Sequence, residues 1–285
     1  MSASDKITEY YPNQRHEVGF VNIWKIVARN VVRSKDLIFQ LFKRDFTAQY
    51  KKSFLGLSWT VITPIFSILS WVLMQATGVL EPGDVGVPYP IYVLVGSACW
   101  GLFINMMNGA KSTLSSAGGL VMQVKFPHEA LLFKNILIKL LNFAISFALI
   151  LVVISFFGVV PSWKALLIPI PLIPMFFFAA TIGLLLAVIT IVAVDITNFM
   201  DKIMNFLVYT SPIIYSSNVE SPILQTINAW NPMTYIVCSM RDLVIYGEFY
   251  GMTGFLISTA IGAVLFLLVW RAFYVSEDKL IERMI

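Results

Sequence analysis

Charged side chains, cysteine and histidine are all scarce in this chain. Aspartate, glutamate, lysine and arginine account for 13% of the 285 residues, whereas hydrophobic residues account for 58%. So little polar surface cannot cover a water-soluble globule of this length. The composition therefore excludes an ordinary soluble protein and indicates a protein that a lipid bilayer solvates.

Cysteine and histidine are too few and too scattered to predict metal or redox chemistry. Cys99 and Cys238 lie in apolar stretches, and His16 and His128 are far apart along the chain. None of them has the spacing of metal ligands. We therefore expect no metal ion and no other cofactor in this chain.

Motifs for ATP binding and for catalysis are missing from the sequence. There is no Gly-x-x-x-x-Gly-Lys-Ser/Thr sequence, which is the phosphate-binding loop of many ATPases. There is also no pair of carboxylates, and no nucleophile with a base, that would predict an enzyme. Any energy from ATP must therefore come from another subunit.

Long apolar runs are what the chain has in abundance. A helix needs about 20 apolar residues to cross the hydrocarbon core. Five runs meet that length, and a sixth is shorter and contains Pro212. The six runs cover about 54–79, 91–113, 136–158, 165–190, 203–217 and 252–270. The sequence thus predicts an all-α integral membrane protein with six transmembrane helices.

The distribution of lysine and arginine predicts the orientation of these spans. Ten of the 20 basic residues precede the first span, and six crossings leave only Lys164 and Arg241 on the external side. Cytoplasmic flanks of membrane proteins retain positive charge. We therefore expect both termini in the cytoplasm.

The centres of the predicted spans contain no ionisable residue. Carriers that are coupled to protons or sodium usually place such groups at mid-membrane, where they are costly and functional. This absence argues against a secondary transporter, although backbone carbonyls can also bind sodium.

Three segments outside the spans have patterns of their own. Residues 37–52 form an amphipathic pattern typical of a helix in the membrane interface. The alternative is a merely polar leader whose basic side chains snorkel. Residues 115–134 are too polar to cross, so they predict a cytoplasmic element that docks a partner or packs on its own helices. Residues 218–250 are interrupted by Asn231-Pro232, which predicts two short helices. These helices form either a re-entrant gate or a plain external cap.

Aromatic residues near the span ends have two interpretations. Tryptophan and tyrosine are common at membrane interfaces, but some could instead line a pathway and stack on sugar rings. The candidates for a channel wall are Trp59, Trp71, Trp100, Tyr209 and Tyr215.

Several short motifs, in order, carry a resemblance to a known family. They are Arg44-Asp45, Tyr50-Lys51, Leu55-Gly56, Trp59 and Pro64; Phe126-Pro127-His128-Glu129; Ser211-Pro212-Ile213-Ile214-Tyr215; and Asn231-Pro232-Met233-Thr234. On this hydropathy profile the chain resembles the permease subunits of polysaccharide-exporting ABC transporters, the type 2 exporters of O-antigen, capsule or teichoic acid. The resemblance covers about residue 38 to the C-terminus.

The resemblance implies an architecture and partners. It implies a homodimer in the cytoplasmic, or inner, membrane of a bacterium. The homodimer is paired with two copies of a separate ATPase subunit that binds ATP and magnesium, and its substrate is a lipid-linked polysaccharide. The implied organisation is a leader (1–36), an interface helix (37–52), a six-span domain (53–274) and a cytoplasmic tail (275–285). Nucleic acid is not an expected partner.

The resemblance also assigns roles to individual residues. The implied interface-helix residues are Phe42, Arg44, Asp45, Tyr50 and Lys51. The implied ATPase-coupling residues are Leu120, Lys125, Phe126, Pro127, His128 and Glu129. The implied gate residues are Asn231, Pro232 and Met233. The alternatives are a permease for a drug, lipid or other small amphiphile, and a membrane scaffold that transports nothing.

One stretch departs from the family pattern. Many relatives carry an arginine-rich loop between spans four and five, whereas this chain reads Val192-Ala-Val-Asp195-Ile-Thr-Asn198. Only the aspartate matches, so the resemblance does not extend to a basic contact at that loop.

Overall fold

The computed structural model describes residues 19–51, 56–78, 85–113, 128–217 and 221–282. Within these ranges every regular element is helical. The α-helices are α1 (Phe20–Arg33), α2 (Lys35–Lys51), α3 (Trp59–Ala76), α4 (Tyr89–Lys111), α5 (His128–Phe156), α6 (Pro169–Val192), α7 (Val194–Phe206), α8 (Pro222–Trp230), α9 (Pro232–Ile245) and α10 (Met252–Glu282). Short 3₁₀ turns cover Gly56–Ser58, Trp163–Leu167 and Leu207–Thr210. The prediction of an all-α fold is confirmed.

Four of the described helices are long and apolar enough to cross a membrane. The candidate spans are Tyr89–Lys111, Glu129–Phe156, Pro169–Val192 and Met252–Ser276. A shorter apolar stretch, Ile65–Ala76, lies in α3. The chain is therefore an all-helical membrane protein with at least these four candidate spans.

Helix α4 is the central helix of the bundle. It packs against α3, α5, α6 and α9, and most of its side chains are buried. Its closest neighbour is α6, where a Cβ added at Gly183 would lie 2.5 Å from the Cβ of Ala110 and 2.5 Å from the carbonyl oxygen of Met107. The absence of a side chain at Gly183 lets these two helices touch.

The prediction of one helix over residues 203–217 is wrong. Helix α7 begins at Val194 and ends at Phe206, the 3₁₀ turn follows it, and residues 211–217 form turns and bends. Pro212 has no N–H to donate and its ring obstructs a continuing helix. The α-helix therefore lies closer to the N-terminus than predicted, and a 3₁₀ turn and then turns and bends follow it.

The leader before residue 37 contains a helix to which the sequence assigned no role. In α1, Ile23 and Val27 are buried in the main core. The Trp24 ring lies 6.0 Å from the Phe266 ring and 6.1 Å from the Trp270 ring of α10. These contacts fasten the leader helix to the last helix of the bundle.

Candidate functional site

Helix α2, the predicted interface helix, runs beside the first part of α5. Lys134 Nζ lies 2.8 Å from Asp45 Oδ2, and the Tyr50 hydroxyl donates to Asn142 Oδ1 at 2.9 Å. The later partner in α2 bonds to the later partner in α5, so the two helices run in the same direction. The predicted helix is confirmed over Lys35–Lys51, while its role at a membrane interface stays a prediction.

The two faces of α2 differ. Ile38 and Leu41 are buried, and Leu41 packs with Leu131 of α5. Along another side the rings of Phe39, Phe42, Phe46 and Tyr50 contact one another in sequence, at centroid distances of 6.2, 5.8 and 5.3 Å. Phe39 is 63% exposed. One face therefore packs on α5, and the aromatic row lies along a partly exposed side.

Asp45 is the charged link between α2 and α5. Burial by itself raises the pKa of the Asp45 carboxyl. The hydrogen bonds and positive charges of Arg44 and Lys134 lower it by more, so the pKa lies below its ordinary value of 3.8. Arg44 Nε is 2.7 Å from Asp45 Oδ1 and remains mostly exposed. Lys134 is buried, which makes Asp45 its necessary counter-charge.

Glu129 is the predicted coupling residue that the structure describes in full. It is buried and accepts a hydrogen bond from Asn30 Nδ2 of α1 at 3.4 Å. His128 begins α5. The other predicted coupling residues, Leu120, Lys125, Phe126 and Pro127, lie outside the described residues.

A cavity of about 600 Å³ lies between the end of α2 and helices α3, α4 and α5. Each of the three long helices contributes side chains to its wall at intervals of three or four residues, which is one helical turn. The wall includes Trp59, Thr63 and Ser67 of α3, Ser97, Gly101 and Asn105 of α4, and Lys139, Asn142 and Ser146 of α5. The polar side chains of otherwise apolar helices thus converge on one space.

Asn142 connects this cavity to α2. Its Oδ1 atom accepts hydrogen bonds from Gln49 Nε2 at 3.1 Å and from the Tyr50 hydroxyl at 2.9 Å. Gln49 and Tyr50 also line the cavity. The end of the predicted interface helix therefore forms part of the cavity wall.

The two short helices predicted around Asn231-Pro232 are confirmed as α8 and α9. Asn231 caps α9, because its Oδ1 accepts a hydrogen bond from Met233 N at 3.0 Å, and Pro232 begins the helix. Asn231 Nδ2 donates to Ser211 Oγ at 2.9 Å. One side chain therefore joins α9 to the turn that follows α7.

Helix α9 carries a buried ion pair between Asp242 and Arg241, and the sequence analysis placed Arg241 on the external side. Arg241 is 1% exposed, its Nε lies 2.8 Å from Asp242 Oδ1, and its guanidinium lies 3.9 Å from the centre of the Tyr92 ring. Arg241 Nη1 also donates to the carbonyl oxygen of Pro212. A carboxylate, a carbonyl and an aromatic face together stabilise this cation.

The turn at residues 211–216 receives hydrogen bonds from several side chains. The Tyr89 hydroxyl donates to Ile214 O at 2.8 Å, and the Tyr92 hydroxyl donates to Pro212 O at 3.2 Å. These bonds fix a non-helical backbone between α7 and α8. Backbone of this kind is tolerated at membrane depth only where protein groups satisfy it.

The five candidate channel aromatics do not lie together. Trp59 is 53% exposed and lines the cavity. Trp100 is 6% exposed and packs on Phe103, so it belongs to the chain's own core. Trp71 contacts Tyr89 edge-on. The Tyr215 hydroxyl donates to Asn228 Oδ1 of α8, and Tyr209 is exposed beside Phe206.

Sequence reasoning missed the polar stripes that form the cavity. A recurrence of Ser, Asn and Lys at helical spacing was present in the runs at 91–113 and 136–158. That periodicity could have indicated a polar stripe on each helix. Three stripes form a cavity only if the helices are rotated so that the stripes face one another, and the sequence does not give these rotations.

Comparisons with known proteins agree with this architecture. A family model described as "ABC-2 type transporter" matches residues 36–245. The O-antigen export system permease protein RfbA of Myxococcus xanthus is 24% identical over 256 residues, which is 89% of this chain and 96% of that protein. Two Klebsiella pneumoniae proteins of the same name are each 22% identical, over 74% and 81% of this chain and over 81% and 91% of their own lengths. Because the family model covers well over half of its length, the chain belongs to the ABC-2 type transporter family.

Proposed function

We propose that this chain is the permease subunit of an ABC transporter that exports a lipid-linked polysaccharide across the cytoplasmic membrane of a bacterium. The observation that carries the proposal is its similarity, over 89% of its length, to an O-antigen export permease. The cavity supports it, since amides, hydroxyls and an aromatic ring suit sugar hydroxyls and sugar faces better than they suit a purely apolar drug.

The proposed topology has six crossings with both termini in the cytoplasm. Helices α4, α5, α6 and α10 supply the four long spans. Helix α3 is the first crossing, and α7 with the turn after it is the fifth. The excess of Lys and Arg on the cytoplasmic flanks supports this orientation.

The proposed complex contains two copies of this chain and two copies of a separate ATPase subunit. The partner binds ATP and magnesium, and the segment 115–134 receives its motion. Buried contacts at Glu129 and Lys134 tie the start of α5 to α1 and α2. A push on that segment would therefore move three helices together.

The proposed gate is the pair α8 and α9, which dips into the outer leaflet and returns. The bonds from Asn231 and Arg241 to residues 211 and 212 support a gate that moves as one piece with that turn.

The test is co-expression with a candidate ABC ATPase subunit from the same genome, followed by purification and ATPase assay with and without lipid-linked glycan. We expect a two-plus-two complex whose turnover changes with glycan. A Phe126→Ala variant should still insert but should lose this response, because the coupling contact is gone.

A stable complex that ignores glycan but responds to small amphiphiles would replace this proposal with a drug or lipid exporter. Failure to form any complex with the ATPase would favour a scaffold that transports nothing.

A further inference from the structure

The cavity between α3, α4 and α5 has two ends that differ in chemistry. Helices α3 and α4 run in opposite directions, since Trp71 near the end of α3 contacts Tyr89 at the start of α4. Helices α4 and α5 also run in opposite directions, since Asn135 Nδ2 donates to Gly109 O. Trp59, Asn105 and Lys139 therefore lie toward the α2 end of the cavity. The three serines, Ser67, Ser97 and Ser146, lie toward the other end.

Lys139 has no counter-charge among the residues that the structure describes. The described residues that line the cavity include no aspartate and no glutamate. Among the described residues, Lys139 Nζ also has no hydrogen-bond or ion-pair partner. By contrast, Lys134 earlier in α5 pairs with Asp45, and Lys111 at the end of α4 pairs with Asp201. A positive charge inside an apolar bundle is costly and usually functional. The cavity therefore lacks one negative charge that a ligand would supply.

Asn142 adds a directed donor beside this amine. It lies three residues after Lys139, on the same face of α5. Because Gln49 and Tyr50 occupy its Oδ1 atom, the orientation of the amide is fixed. Its Nδ2 then remains to donate, and no described residue accepts from it. Lys139 and Asn142 together form a cationic and a neutral donor one turn apart, which suits the oxygens of a phosphate.

We propose that this cavity binds the phosphate-bearing head of a lipid, with Lys139 and Asn142 donating to the phosphate oxygens. Trp59 at the same end is half exposed and offers an aromatic face to a sugar attached to that phosphate. The sugar contact rests on the proposed function, whereas the phosphate contact does not. The same chemistry is found in a glycan-bearing prenyl pyrophosphate and in an anionic phospholipid.

A lysine that only snorkels to the membrane surface predicts a different outcome. Such a lysine extends its amine toward water and needs no polar neighbours. Here Lys139 lines a cavity of about 600 Å³ together with Asn105, Asn142 and Gln49. If Lys139 served structure alone, its removal would alter stability and leave lipid binding unchanged.

The test uses the full chain in complex with its ATPase, purified in detergent. The probe is a radiolabelled prenyl pyrophosphate that carries one sugar, and the measurement is its Kd. In Lys139→Met we expect Kd to rise roughly tenfold or more, as for loss of one hydrogen bond to a charged group. Lys139→Arg should bind nearly as the parent does. Lys202→Met, which removes an exposed lysine of α7, is the matched control.

Thermal stability separates binding from folding in this test. Lys139→Met removes a poorly solvated charge, so its melting temperature without ligand should equal or exceed that of the parent. Asn142→Asp supplies the missing negative charge within the chain and should also weaken binding of the pyrophosphate. Unchanged Kd in both variants would overturn the proposal.

Competition with phosphatidylglycerol identifies the source of the phosphate. If phosphatidylglycerol displaces the probe from the parent but not from Lys139→Met, the site is supported and is assigned to a membrane phospholipid. If phosphatidylglycerol does not displace the lysine-dependent probe, the site is supported and is assigned to the glycan carrier. Lysine-dependent binding in a complex whose ATPase ignores glycan would contradict the proposed function but not this site.

Discussion

Arg241 shows how single side chains allow an apolar bundle to hold a charge. Its guanidinium is enclosed by Asp242, the Tyr92 ring and the Pro212 carbonyl. An isolated charge in such surroundings would be strongly unfavourable. Arg241 therefore depends on these three partners, and together the contacts fix α9 against α4 and the turn after α7.

Removal of Arg241 should strongly destabilise the chain. Arg241→Met leaves Asp242 buried without a counter-charge, which costs roughly 3–5 kcal/mol of unfolding free energy when a buried pair is broken. The measurement is the thermal unfolding midpoint in detergent. The control is the double variant Arg241→Met with Asp242→Asn, which should recover part of the loss because no buried charge remains. A single variant as stable as the parent would contradict the assigned role.

Asp45 should make stability depend on pH. Because its pKa is lowered by folding, its contribution is present above the ordinary value and is lost as the pH falls through the folded pKa. Asp45→Asn leaves Lys134 buried without its counter-charge and should lose roughly 1–3 kcal/mol near neutral pH.

Unfolding midpoints of Asp45→Asn and the parent, measured from pH 8 downward, check this expectation. The two curves should stay apart at neutral pH and converge only below about pH 4. If the difference between the two midpoints stayed constant down to the most acidic pH, the ionised carboxylate of Asp45 could not be the source of the stability difference.

At the scale of elements, the contact between α4 and α6 depends on one glycine. A methyl group at Gly183 would overlap Ala110 and the backbone at Met107, whereas a methyl group at Gly101 would meet nothing within 4 Å. We expect Gly183→Ala to destabilise by about 1–3 kcal/mol through overpacking. Gly101→Ala is the matched control and should be neutral or stabilising by up to about 1 kcal/mol, because alanine favours a helix. Unfolding midpoints of the two variants compare them directly, and equal effects would contradict the packing.

The junction between α8 and α9 makes a second prediction at this scale. Asn231→Ala removes both the cap and the donor to Ser211, and should cost about 1 kcal/mol or more. Asn231→Asp keeps an acceptor for Met233 N but loses the donor to Ser211. This variant therefore separates the capping of α9 from the bond to the turn after α7. We expect Asn231→Asp to retain most of the stability and to alter export if the turn and α9 move together. Glycan export in cells and unfolding midpoints are the two measurements.

Hydropathy predicted the elements better than their ends and contacts. The long apolar runs identified the four candidate spans, and Asn231-Pro232 located the boundary between α8 and α9. Helix α1 was missed because its amphipathic residues look like a polar leader until Trp24 meets α10. The helix predicted over 203–217 was wrong because hydropathy does not take into account that Pro212 obstructs a continuing helix.

Contacts between distant residues were beyond the reach of the sequence. Arg241 and Tyr92 are far apart in the chain, and only the fold brings them together. The cavity likewise needs the rotation of three helices about their axes, which single-helix periodicity leaves open. Coupling at 115–134, the gate and the orientation of the termini stay predictions.

At the scale of the whole molecule, hydrogen bonds and ion pairs made by side chains join the helices into two groups. At one end, α1 and α2 are bonded to the start of α5. Elsewhere, the turn after α7 is bonded to α9 and α4. Central helix α4 contacts both α5 and α9. A movement that begins at the ATPase side would therefore reach the proposed gate through packed helices rather than through a flexible linker.

Transport itself is the most direct test of the proposed function. Inverted membrane vesicles that contain this chain, its ATPase and a labelled lipid-linked polysaccharide expose the glycan to added glycosidase. On addition of ATP, the glycan should pass into the vesicle lumen and become resistant to the enzyme. Vesicles without this chain, or with an inactive ATPase, should show no protection. A glycan that stays fully digestible while ATP is hydrolysed by the intact complex would contradict polysaccharide export.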